Sequence, residues 1–62
     1  MQDLLGPRVF TPREKLEAVE REIGMRRKVY PRWVLLKKIR QDTADREIAV
    51  LEAIAEDYRG KA

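Results

Sequence analysis

The side chains in this chain whose types and spacing could do chemistry fall into two sets. The first is a basic run, Arg26, Arg27, Lys28, Arg32, Lys37, Lys38 and Arg40, with Tyr30 and Trp33 interleaved. Cationic groups at this density suit phosphate oxygens, and aromatic rings among them suit stacking on bases. The second set is close carboxylate pairs: Asp42 with Asp45, Glu17 with Glu20, and Glu52 with Glu56. Paired carboxylates do acid–base work when their surroundings push their pKa values apart. Spacings of three and four are also the ordinary pattern of exposed helical faces with lysine or arginine nearby, and that reading is preferred here.

What the chain lacks narrows the chemistry further. It has no histidine and no cysteine, which removes the usual general base, the thiol nucleophile, the disulfide and the thiolate zinc site. It has no glycine-rich phosphate loop and no helix-turn-helix, zinc-finger or ribonucleoprotein signature. A non-enzymatic protein is expected, with no metal and no cofactor. For the basic run, a solvated helix end is the preferred reading, with some arginines paired to acidic residues of a second helix. Arg26 and Arg27 flank the main apolar stripe of the first helix, and Glu47 sits inside the apolar arc of the second, so an antiparallel hairpin brings them together. Tyr30 and Trp33 beside Pro31 are expected to pack in a core or interface, or to anchor a protein partner.

The elements that position these groups read clearly. Residues 1–10 are expected to form an irregular arm, because Gly6-Pro7 interrupts any regular element, with disorder the competing reading for Met1 to Asp3. Its apolar Leu4, Leu5, Val9 and Phe10 are expected to lie on a helical surface. Thr11-Pro12-Arg13-Glu14 is a capping box with proline at the first helical position, so a helix starts there. Leu16, Val19, Ile23 and Tyr30 fall within an arc of about 60°, and Ala18, Met25 and Val29 form a second patch roughly opposite. Gly24 marks either close approach of another helix or plain tolerance. Pro31 stops or kinks the helix at Tyr30, leaving Arg32 to Lys38 as a short intervening helix or a kinked end. The turn falls around Lys37 to Gln41, with Asp42 or Gln41 as cap and a second helix from Thr43 to Arg59, stopped by Gly60.

The second helix carries the strongest packing signal. Ala44, Ile48, Leu51, Ala55 and Tyr58 follow a 4-3-4-3 spacing, and Val50 and Ile54 widen the stripe to an arc of about 160°. That arc is broad enough to touch more than one helix. A chain of 62 residues has few helices of its own, and domains this small often need a disulfide, a metal or oligomerisation. Oligomerisation is the remedy left. The expected interface is Met25, Val29, Ile48, Val50, Leu51, Ile54, Ala55 and Tyr58. Charge is uneven too: residues 21–40 hold eight basic side chains against Glu22 alone, within a chain of net +3.

The segments REIGMRRKVYPRWV (Arg21 to Val34) and ADREIAVLEAIAEDYR (Ala44 to Arg59) resemble a group of small bacterial and prophage-encoded helical proteins. Their shared pattern pairs a VYPRWV-like stretch with an AD-x-E-I-A-V-M-E-A-I-like helix. The resemblance spans Pro12 to Arg59 and implies no catalytic residues. Two departures concern the turn, where members carry Gly at the position of Lys37 and a Ser or Thr cap at that of Arg40. Lys37 is therefore expected either to change the turn's shape or to hold a left-handed conformation at some cost.

Together these readings predict an all-α fold. It is an antiparallel helical hairpin over residues 11–62 that dimerises into a four-helix arrangement. The expected role is a small regulatory or interaction protein acting by protein–protein contact, as a homodimer and on a host or phage protein. The alternative is a basic nucleic-acid-binding protein. No apolar run approaches the ~20 residues of a membrane span, and no secretory leader is visible at Met1 to Phe10, so a cytoplasmic protein without membrane contact is expected.

Overall fold

The structure is a computed structural model describing residues 9–62. The expectations for the arm's Leu4, Leu5, Gly6 and Pro7 lie outside the described residues. Two helices, α1 (Pro12–Leu35) and α2 (Gln41–Arg59), pack against each other as an antiparallel hairpin, and no strand occurs among the described residues. No helix among them is long and apolar enough to cross a membrane.

The start of α1 follows from its sequence. The Glu14 amide donates to Thr11 Oγ1 at 3.1 Å, and the Thr11 amide donates to Glu14 Oε1 at 2.8 Å, so both halves of the capping box are made. Pro12 occupies the first turn, where its missing donor leaves no bond unmade. Phe10 lies beside Glu14, Ala18 and Arg21, whereas Val9 points into solvent and does not join the helical surface as expected.

Pro31 does not end α1. The helix runs through it to Leu35, so Arg32–Leu35 complete α1 and no short intervening helix exists. Proline forfeits one hydrogen bond at this point, and the closing turn restores others. The Leu36 amide donates to Arg32 O at 2.9 Å, the Lys37 amide to Val34 O at 3.0 Å and the Lys38 amide to Trp33 O at 2.8 Å. The last two bonds define a Schellman motif, whose penultimate position needs a left-handed residue. Lys37 takes that role at φ 60°, where glycine would meet no Cβ penalty.

Helix α2 begins two residues before the expected Thr43, at Gln41. Its N-cap is Arg40, which makes no side-chain cap bond, so neither Gln41 nor Asp42 caps the helix. The Gln41 amide group instead donates to Asp45 Oδ1 at 2.9 Å, one turn inside the helix. At the far end Gly60 stops α2 in a right-handed conformation, φ −71°, rather than the left-handed one.

The hairpin's core is thin. Among the described residues only Ile23, Tyr30, Ala44 and Ala55 are buried apolar side chains. Ile23 lies beside Ala55 and Tyr30 beside Ala44, large residues of α1 against small residues of α2. Two alanines let the helices approach closely but add little apolar burial.

Candidate interaction surface

Helical geometry divides the hairpin into two broad faces. With Ile23 turned toward α2, about 100° per residue puts Arg26 on one flank of α1 and Arg27 on the other. With Ala55 turned toward α1, the same rule puts Glu47 and Glu52 on opposite flanks of α2. The ion pairs register the two helices. Arg26 Nη1 meets Glu47 Oε1 at 2.9 Å on one side. On the other side Arg27 pairs with Glu52, and Arg59 Nη2 meets Glu20 Oε2 at 3.1 Å.

The Arg27 side is a polar seam. Arg59 bridges the helices, holding Glu20 and, at 2.7 Å, Glu56 of its own helix. Those two hydrogen bonds, Glu20 first, raise its pKa and keep it charged. Gly24 lines this seam, and a Cβ there would meet nothing within 4 Å, so no helix approaches it within the hairpin.

The Arg26 side is built differently. A single polar network holds its centre. Arg26 Nε donates to Glu22 Oε2 at 2.7 Å, and its Nη1 donates to Tyr30 Oη and to Glu47 Oε1, both at 2.9 Å. The Tyr30 hydroxyl in turn donates to Glu47 Oε1 at 2.8 Å. The Glu22 bond is the main cause of a raised Arg26 pKa, followed by the Tyr30 bond. Desolvation, then the bond to Glu47, raises the Tyr30 pKa, so the phenol stays protonated.

Apolar side chains surround this network. On α1, Met25, Val29 and Trp33 follow one another at four-residue intervals beyond Arg26, with Ala18 below and Leu36 above. Val50 and Ile54 lie on the matching side of α2, with Val50 and Leu51 beside Arg26 and Glu47. Met25 is 56% exposed, Val50 48% and Trp33 41%, and Val29, Leu51, Ile54 and Tyr58 are half-buried. The Trp33 ring packs on Tyr30 with centroids 5.6 Å apart, tilted by 42°, which fixes it at this face's edge.

Two members of the expected interface lie elsewhere. Ala55 is 1% exposed and belongs to the hairpin's own core, because it faces Ile23. Ile48 sits on the Arg27 side, beside Arg27 and Pro31. Three members of the basic set also change character. Tyr30 is buried, and Arg26 and Arg27 are held by carboxylates of α2. Arg40 meets Asp42 at 3.3 Å, both exposed, and Lys28, Arg32, Lys37 and Lys38 are exposed and make no ion pair among the described residues. Sequence reading missed the Glu20–Arg59 bridge and the exposed Leu35 and Leu36 at the turn. The bridge has no local signal, since it depends on the register between helices.

No group of three or more carboxylate, histidine or cysteine side chains placed to hold a metal occurs among the described residues. The arrangement can bury an apolar face, and it presents cations at the turn. Comparison of the chain with family models, curated proteins and solved structures finds no match.

Proposed function

We propose that this chain is a small non-enzymatic interaction protein that works as a homodimer, closing a four-helix arrangement over the Met25, Val29, Trp33, Val50 and Ile54 face. The observation that carries this reading is that face itself. It has members on both helices, on either side of the Arg26–Glu47 ion pair, and Met25, Trp33 and Val50 among them are exposed. A hairpin whose own core rests on two large and two small side chains gains most from burying it. Each fully buried aliphatic side chain contributes about 1.5–3 kcal/mol, which is large beside the stability of a domain this small. The likeness to prophage-encoded helical proteins fits a regulatory role on a host or phage protein, and the absence of cysteine suits a reducing cytoplasm.

Size-exclusion chromatography with light scattering tests the dimer. The intact chain should run at twice its 7.3 kDa mass, and Leu51→Glu should break the assembly and unfold the hairpin. A monomer at high micromolar concentration removes the proposal.

A second reading, nucleic-acid binding, draws on the four turn-side cations Lys28, Arg32, Lys37 and Lys38. It predicts retardation of duplex DNA or RNA at low salt that fades steeply as salt rises. Absence of any shift at low salt ends it. It is the weaker reading, because Arg26 and Arg27 already satisfy carboxylates within the fold.

A further inference from the structure

We infer that the two copies pair end to end in opposite senses, the basic turn of each lying against the open end of the other. This rests on the homodimer proposed above and specifies how its partner is seated. A two-fold axis that joins the apolar faces has two choices. Running along the helices, it sets turn against turn. Running across them, it sets each turn against the other copy's open end, with α1 antiparallel to α1.

Charge separates the two. The turn half of the hairpin, residues 26–49, holds the basic Arg26, Arg27, Lys28, Arg32, Lys37, Lys38, Arg40 and Arg46 against Asp42, Asp45 and Glu47, a net +5. The open half, residues 11–25 with 50–62, holds five basic and seven acidic side chains, a net −2. Turn against turn brings +5 beside +5 within a Debye length of roughly 8–10 Å, which is repulsive throughout. Counting Glu22 and Glu52 with the Arg26 and Arg27 they pair with leaves +3 at the turn and 0 at the open end, so the crossed arrangement removes the repulsion that turn against turn would carry. Uncharged packing alone would not choose between them; the charge does.

The experiment uses the full chain, which contains no cysteine, so a single introduced thiol carries a spin label without interference. Lys38→Cys, at the exposed turn, is labelled and the distance between copies is read by pulsed electron resonance. The crossed dimer separates the two labels by about one helix length, roughly 28 Å or more for a helix the size of α2. A separation well below that, turn beside turn, overturns the inference and leaves the dimer intact. Salt gives an independent readout on the unmodified chain. Raising ionic strength should leave the crossed dimer's affinity nearly unchanged, whereas several-fold tighter association at high salt would also overturn it. Failure of the dimer itself appears instead as a monomeric mass and the loss of any label–label coupling, and sinks both proposals.

Discussion

The two faces of this hairpin both carry ion pairs between the helices and differ in what lies around them. On one, Arg27–Glu52 and Glu20–Arg59 tie the helices together in solvent, with Gly24 between them. On the other, one network of Arg26, Glu22, Tyr30 and Glu47 is surrounded by Met25, Val29, Trp33, Val50 and Ile54. The difference teaches where the energy of a minimal fold is left unspent. Exposed ion pairs contribute little and are complete as they stand. Exposed apolar side chains are incomplete until something excludes water from them.

The strongest way to break that comparison is to charge the apolar face alone. Val50→Glu should weaken dimerisation by roughly tenfold to a hundredfold, from the loss of about 1.5–3 kcal/mol of valine burial. Val50 is half exposed in the hairpin, so the helical circular-dichroism signature should persist. Unchanged association measured by sedimentation would mean that the face is misassigned.

A second test concerns the network between the faces. The Tyr30 pKa is raised above its ordinary 10.0, so its protonated form is favoured by folding. Its contribution is therefore fully present below pH 10.0 and is lost as pH rises through the higher folded value. Melting temperature should fall in that alkaline range more for the natural chain than for Tyr30→Phe. Parallel pH profiles would remove Tyr30 from the account.

Smaller effects sharpen the comparison. Lys37→Gly relieves a left-handed residue at the turn and should raise hairpin stability by about 1 kcal/mol in thermal unfolding. Gly24→Ala adds a methyl group to open space on the ion-paired face, and should stabilise by about 0.4–1 kcal/mol without changing dimer affinity. A loss of dimer with Gly24→Ala would move the interface to that face.

How much of this was legible depends on whether a signal is local. The capping box at Thr11 and Glu14 is a four-residue pattern, and it formed as written. The pairing of Arg26 with Glu47 was readable because Arg26 flanks the stripe of α1 and Glu47 lies within the apolar arc of α2, whereas Arg27, expected at the same carboxylate, pairs with Glu52. Lys37 in a left-handed conformation was one of two outcomes implied by the resemblance, whose members carry Gly at that position. Pro31 left open whether Arg32 to Lys38 was a short helix or the end of the first, because the bonds made by the Lys37 and Lys38 amides beyond it are invisible until the turn is closed. Trp33 read both as an aromatic interleaved in the basic run and as a core or interface side chain, and its ring packs on Tyr30. Ala55 read as interface because a wide stripe does not say which of its members faces the helix next door and which faces outward.

The most direct measurement uses Trp33, the chain's single tryptophan, as the reporter. Its fluorescence is followed through serial dilution from high micromolar to nanomolar chain. Coverage by a second copy predicts a red shift in emission on dilution, and in Val50→Glu the same shift at roughly tenfold to a hundredfold higher concentration. An emission maximum that does not move with concentration would contradict the account, because the face would then be bare, or covered from within, at every dilution.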